Sequence, residues 1–286
     1  MPAYLAHDPA PRAPRQQLPA GTCDCHFHVF EDAATWPYAQ PRSYTPTPAK
    51  LAHYRQMADT LGIERAVLVH PSVYGADHTS FEHVLAQCGP WMRGVAVVQP
   101  DTPSAAIERW HALGARGTRC NALFAGGAAL HDLPAIAQRV RGLDWHLQLL
   151  IDVAADPNAV NRVAELGLPV VVDHFGHVPA AQALASPGFN NLLALVREGR
   201  AWVKLSGAYR VSADRSRFED LRPIVDALVQ ANAEPLVWGS DWPHPAITPP
   251  MPNDGALADL LFDWLTPALR RKVLVDNPAR LYWSQP

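Results

Sequence analysis

Between Thr22 and Ser240, short apolar runs alternate eight times with amphipathic stretches, and this constrains the fold more than any other feature of the 286-residue chain. The runs are Thr22–His28, Ala66–His70, Gly94–Val98, Gly117–Asn121, His146–Ile151, Pro169–His174, Trp202–Ser206 and Leu236–Ser240. Helical patterns fall between them over Pro48–Leu61, Ser80–Cys88, Pro103–Leu113, Pro134–Val140, Pro157–Leu166, Phe189–Glu198 and Phe218–Ala231. Strands that alternate with helices pair in parallel. Eight strands with seven intervening helices predict an α/β fold of the (β/α)8 TIM barrel type in a single domain, and the length suits it. Five prolines in the first 19 residues deny that segment regular hydrogen bonding. Residues 1–20 are therefore expected to form a proline-rich arm, with the barrel over 21–286. Glu31–Ala49 and Trp242–Asp254 lack periodicity and follow strands, so both are expected to be loops at the active face.

Composition narrows the function. A net charge of −3 offers no basic stripe for a phosphate backbone, which argues against nucleic acid. No apolar run is long enough to span a bilayer and the N-terminus lacks an apolar signal core, so a cytoplasmic protein without membrane contact is expected. Four cysteines are too few for a disulfide framework. Cys23 and Cys25 read as small buried apolar residues.

The chemistry concentrates at strand ends. In Asp24-Cys25-His26-Phe27-His28, strand alternation places His26 and His28 on one face with Asp24 beneath them. Cys23, Cys25 and Phe27 then take the other face. Val170-Val171-Val172-Asp173-His174 ends in a histidine, and Leu236 to Asp241 ends in an aspartate followed by Trp242-Pro243-His244. Barrel enzymes keep their catalytic groups at such C-terminal strand edges. His26, His28, His174 and Asp241 together could hold one divalent metal with an open position, or act as acid–base machinery without one. Lys204 has the parity to point into the barrel, as half of a buried ion pair. His70 closes the second strand near the mouth. His53, His78, His83, His111, His131 and His146 read as surface or helix residues.

The D-x-H-x-H start, the V-V-D-H-F-G strand, the W-G-S-D-W-P-H turn and the closing Asn277-Pro278-Ala279-Arg280-Leu281-Tyr282-Trp283 resemble the amidohydrolase superfamily. Within it, Leu68-Val69-His70-Pro71-Ser72 and Arg116-Gly117-Thr118-Arg119-Cys120-Asn121 resemble the lactone hydrolases related to 2-pyrone-4,6-dicarboxylate lactonase. The resemblance implies opening of a small lactone, with histidines polarising the carbonyl and Asp241 activating water. It implies that no metal is required; if one is bound, it is a single Zn or Mn held by His26, His28, His174 and Asp241. No carboxylated lysine or second histidine pair matches a binuclear centre. Substrate contacts implied by the resemblance fall on Tyr44, Ser72, Arg119 and Arg210, with Asn121, His177 and His244 as further candidates. Other clamps of that branch fall on Ala125, Leu150 and His177, which cannot reproduce them. A lactone with one acidic group, or a sugar-acid lactone, is therefore expected rather than the pyrone dicarboxylate. A metal-dependent nonoxidative decarboxylase is the alternative within the superfamily, and a binding barrel without turnover lies outside it. Oligomeric state is not readable from the sequence.

Overall fold

A computed structural model describes residues 4–284. The eight strands are β1 Cys23–Phe27, β2 Arg65–Val69, β3 Met92–Ala96, β4 Ala115–Asn121, β5 His146–Leu150, β6 Val170–Val172, β7 Ala201–Leu205 and β8 Leu236–Trp238. They lie in sequence order in one sheet, and each pairs in parallel with the next. The seam between β1 and β8 is closed beyond the strands by a parallel bridge between Phe27 and Trp242. Asp241 N–H donates to the His26 carbonyl and His28 N–H to the Trp242 carbonyl, each at 2.8 Å. The fold is the single-domain (β/α)8 barrel that the alternation predicted.

The seven expected helices are present as α1 Leu51–Leu61, α2 Thr79–Cys88, α3 Ser104–Ala112, α4 Leu133–Val140, α5 Ala159–Ala164, α6 Pro187–Arg197 and α7 Arg222–Ala231. An eighth, α8 Asp254–Trp264, was not expected. Asn253 caps it, its side chain accepting the Gly255 and Ala256 N–H groups. Eight of its eleven residues are buried, so it carries no amphipathic stripe to read. Of the arm, the described residues run along this helix. Arg12 and Arg15 bind Asp259, Asn253 donates to Asp8 at 2.8 Å, and Leu18 is buried. Among the described residues, no helix is long and apolar enough to cross a membrane.

Three side-chain placements correct the sequence reading. First, β1 does not alternate strictly, because its register against β2 slips between Asp24 and Phe27. A bulge adds a residue and resets which face follows. Cys23 and Cys25 stay together in the barrel interior with Val67, Val69 and Val237, but Phe27 leaves their face and stacks on Tyr54 at 3.6 Å. Asp24 turns away from His26 and His28 towards α1 and β8, accepting from Tyr54 Oη and from Ser240 N–H and Oγ. Second, His146 fills the barrel floor, fully buried against Tyr282. Gly117 makes room for it, since a Cβ there would lie 2.3 Å from the imidazole. Third, His78 is buried in a stack between His70 and Trp110 and accepts the Val97 N–H.

Candidate active site

The strand ends bring His26, His28, His174 and Asp241 together at the C-terminal mouth. Asp241 Oδ1 lies 3.8 Å from His26 Nε2 and 3.9 Å from His174 Nε2. The His26 ring is 5.1 Å from that of His28 and 4.7 Å from that of His174. His174 and Asp241 both have φ in the left-handed region, 51° and 61°. Such backbone costs of order 1–3 kcal/mol and persists where surrounding contacts over-determine it. Here it turns both side chains off their strands and into the mouth.

Neighbours orient each ring. His28 Nδ1 donates to the Val69 carbonyl at 2.8 Å, which leaves a lone pair on Nε2. His174 Nδ1 pairs with Ser206 Oγ at 2.9 Å. His26 Nδ1 lies 3.2 Å from Asp173 Oδ1 and 3.3 Å from Lys204 Nζ.

Asp173, which the sequence reading passed over, is the anchor beneath. It accepts from Arg119 Nε and Gln148 Nε2, each at 3.0 Å, and lies 3.5 Å from Lys204 Nζ. Lys204 also donates to the Cys25 carbonyl and Gln148 Oε1, so its buried ion pair is the one expected. The parity of Asp173 with Val171 was the available signal, masked by the more conspicuous His174.

Burial dominates the electrostatics. It lowers the pKa of His26 to about 4 and those of His28 and His174 well below the usual imidazole value, so all three are neutral near pH 7. Burial also pushes the Asp241 carboxyl upward, but the opposing charges, Arg210 first among them, outweigh it and hold it well below the ordinary range. Tyr209 Oη and Arg210 Nε donate to Asp241 Oδ2 at 2.5 and 2.6 Å. His26 Nε2 and Asp241 Oδ1 are both buried without a hydrogen-bond partner. With the His28 lone pair beside them, these donors fit one divalent ion, and His26, His28 and Asp241 are close enough to share it.

Above the cluster is a small cavity. His28, His174 and Asp241 form its base, Arg119 and Arg210 its charged walls, and Phe124 and Leu150 its apolar side.

Residues 23–283 match the model of the amidohydrolase family. The chain belongs to the amidohydrolase family. It is 34% identical to the 4-sulfomuconolactone hydrolase of Hydrogenophaga intermedia over 93% of this chain and 89% of that one. It is 32% identical to the 2-pyrone-4,6-dicarboxylate hydrolase of Comamonas testosteroni over 99% and 97%. A Pseudomonas putida structure, provisionally named a 2-pyrone-4,6-dicarboxylic acid hydrolase, superposes with a TM-score of 0.80 at 32% identity, covering 93% of this chain and 98% of the other. With these relatives, this amidohydrolase is a hydrolase.

Of the expected substrate contacts, Tyr44, Ser72, Arg119, Asn121, His177 and Arg210 line the cavity. His244 does not. It is fully buried behind the site with Nε2 3.0 Å from Asp254 Oδ1, because its own left-handed backbone turns it back towards α8. His70 is likewise held behind the wall, 3.1 Å from the Gly75 carbonyl. Leu150 and His177 face the cavity, while Ala125 does not line it and donates its N–H to Ser43 Oγ.

Proposed function

We propose that this hydrolase opens a small anionic lactone by water attack, with Asp241 as general base. The observation that carries the reading is the charge of the cavity. On and beneath the cavity floor Arg119, Arg210 and Lys204 stand against two carboxylates, Asp173 and Asp241, while burial lowers the pKa of the imidazoles of His28, His174 and His177. Three cations against two carboxylates leave the cluster one net positive charge, which favours a substrate acid group, and a guanidinium binds a carboxylate with paired hydrogen bonds. Asp241 Oδ1, free of hydrogen bonds, takes the proton from water and returns it to the leaving oxygen. In the tautomer where His26 Nδ1 accepts from Lys204, the proton of the neutral ring sits on Nε2, where it can stabilise the developing oxyanion. Tyr44, whose hydroxyl is hydrogen-bonded to Ser72, and Asn121 border the rest of the substrate.

We further propose that turnover needs no metal, since a dication would add to a lining that is already positive. If an ion is bound, His26, His28, His174 and Asp241 hold it, and it supplies Lewis-acid polarisation of the carbonyl. The relatives support hydrolysis over decarboxylation, and a cytoplasmic location is part of the same reading. A panel of aromatic-degradation and sugar-acid lactones, followed by proton release with and without chelator, tests it. Opening of acidic lactones in preference to neutral ones, unchanged by chelator, is expected. Loss on chelation with recovery on adding Zn or Mn would assign the cluster to an ion, and no opening of any lactone would overturn the reading.

A further inference from the structure

Both hydrogen bonds to Asp241 fall on the same oxygen, and the two donors differ in what else they can reach. Arg210 lines the cavity and also donates to the Pro245 carbonyl at 3.2 Å. Tyr209 is buried and does not line the cavity. Its ring stands edge-on to His244 at 5.1 Å, and His244 is tied in turn to Asp254 at the start of α8. If Arg210 engages an anionic substrate, as the proposed function requires, its bond to Asp241 is shared or given up. The tyrosine hydroxyl then remains as the fixed donor on Oδ2.

We propose that Tyr209 is a positioning residue that holds Asp241 in place while Arg210 is occupied by the substrate's acid group, so that Oδ1 stays aimed into the cavity. The pair divides the work: Arg210 is the exchangeable donor and Tyr209 the permanent one. His244 and Asp254 back the tyrosine rather than touch the substrate. This inference rests on the lactonase reading and explains a buried tyrosine, histidine and aspartate that the chemistry itself does not use.

Tyr209→Phe removes the hydroxyl and keeps the ring against His244. Steady-state kinetics on an acidic lactone and on its neutral counterpart, with the melting temperature, test the division. On the acidic lactone kcat should fall about tenfold to a hundredfold, the scale of one hydrogen bond to a charged group, with KM little changed. On the neutral lactone, where Arg210 stays on Asp241, the fall should be under about threefold. Equal losses on both substrates, or no loss on the acidic one, would overturn the inference. In an Arg210→Met background, Tyr209→Phe should cost both substrates alike, and a persisting difference there would also overturn it. Should Tyr209→Phe fail to fold, His244→Gln, which loosens the ring's support, should give the same bias towards loss on the acidic lactone, and an unbiased loss would count against the inference. A wild-type protein that opens neither lactone overturns the lactonase reading, and this inference with it.

Discussion

Arg119 shows how one side chain can serve both the scaffold and the substrate. Its Nε is committed to Asp173, yet the residue also lines the cavity. Arg119→Met should therefore have two separable effects. Loss of a charge-assisted contact predicts a fall of about tenfold to a hundredfold in kcat/KM on an acidic lactone and little on a neutral one. Breaking a buried pair costs up to about 3–5 kcal/mol, but Gln148, Lys204 and His26 still face Asp173 and reduce it. A fall of several degrees in melting temperature should accompany the kinetic loss. Equal kinetic losses on both lactones would leave Arg119 as scaffold alone. Asp241→Asn, which keeps the shape but cannot take a proton, should lower kcat/KM by about 10²–10⁴-fold on either substrate. Activity within tenfold of wild type would remove Asp241 from the role of base.

Where β1 meets β8, packing is tight enough that one methyl group decides it. A Cβ on Gly239 would lie 2.6 Å from His26 Cβ and 2.8 Å from its backbone nitrogen, and a backbone neighbour cannot swing aside. Gly239→Ala should push the two strands apart, moving His26 off Asp241. We expect a loss of at least about tenfold in kcat/KM together with a lowered melting temperature; an unchanged enzyme would mean that the seam tolerates a gap. The arm invites a contrasting test. The exposed Arg15–Asp263 pair is worth about 0–1 kcal/mol and Arg12 reaches Asp259 from an exposed position, whereas truncating buried Leu18 to Ala should cost about 2–5 kcal/mol. Thermal melts of the two sets of variants should therefore differ clearly, and the reverse order would mean that charge holds the arm. The eight strands and seven helices were legible because each carries its own periodicity. The four mouth residues were legible because strand ends are marked by ionisable groups. Neither the bulge in β1 nor α8 leaves such a mark: a bulge is a relation between two strands, and a helix buried on most sides has no polar stripe. His146 was misread for a related reason, since the room it occupies is made by a glycine in a different strand.

Among the described residues, burial keeps the imidazoles of His26, His28, His70, His78, His146 and His174 neutral. Burial lowers the pKa of each, to about 4 for His26 and His78 and about 3 for His146. A depressed folded-state pKa means that the unfolded chain binds more protons once pH falls below about 6.5, so stability is present above that value and lost below it. Each such group can contribute about 1.36 kcal/mol per pH unit until its folded pKa is reached. Asp24 runs the other way. Burial raises its pKa to about 6, so its contribution is lost as pH rises from about 4 to 6. One acid cannot offset six imidazoles, and the urea midpoint should fall steeply between pH 6.5 and 5. A flat midpoint over that range would mean that the histidines are charged in the fold. The seam has a consequence for biosynthesis. Asp24 and His26 lie near the beginning of the chain and Ser240 and Asp241 near its end, and the bonds that join them form only when the first strand meets the last. A nascent chain halted after β7 would already carry all three mouth histidines but no carboxylate from β8 to answer them. Hydrolysis should therefore begin only when translation has passed the eighth strand, which makes activity a direct report that the seam has formed.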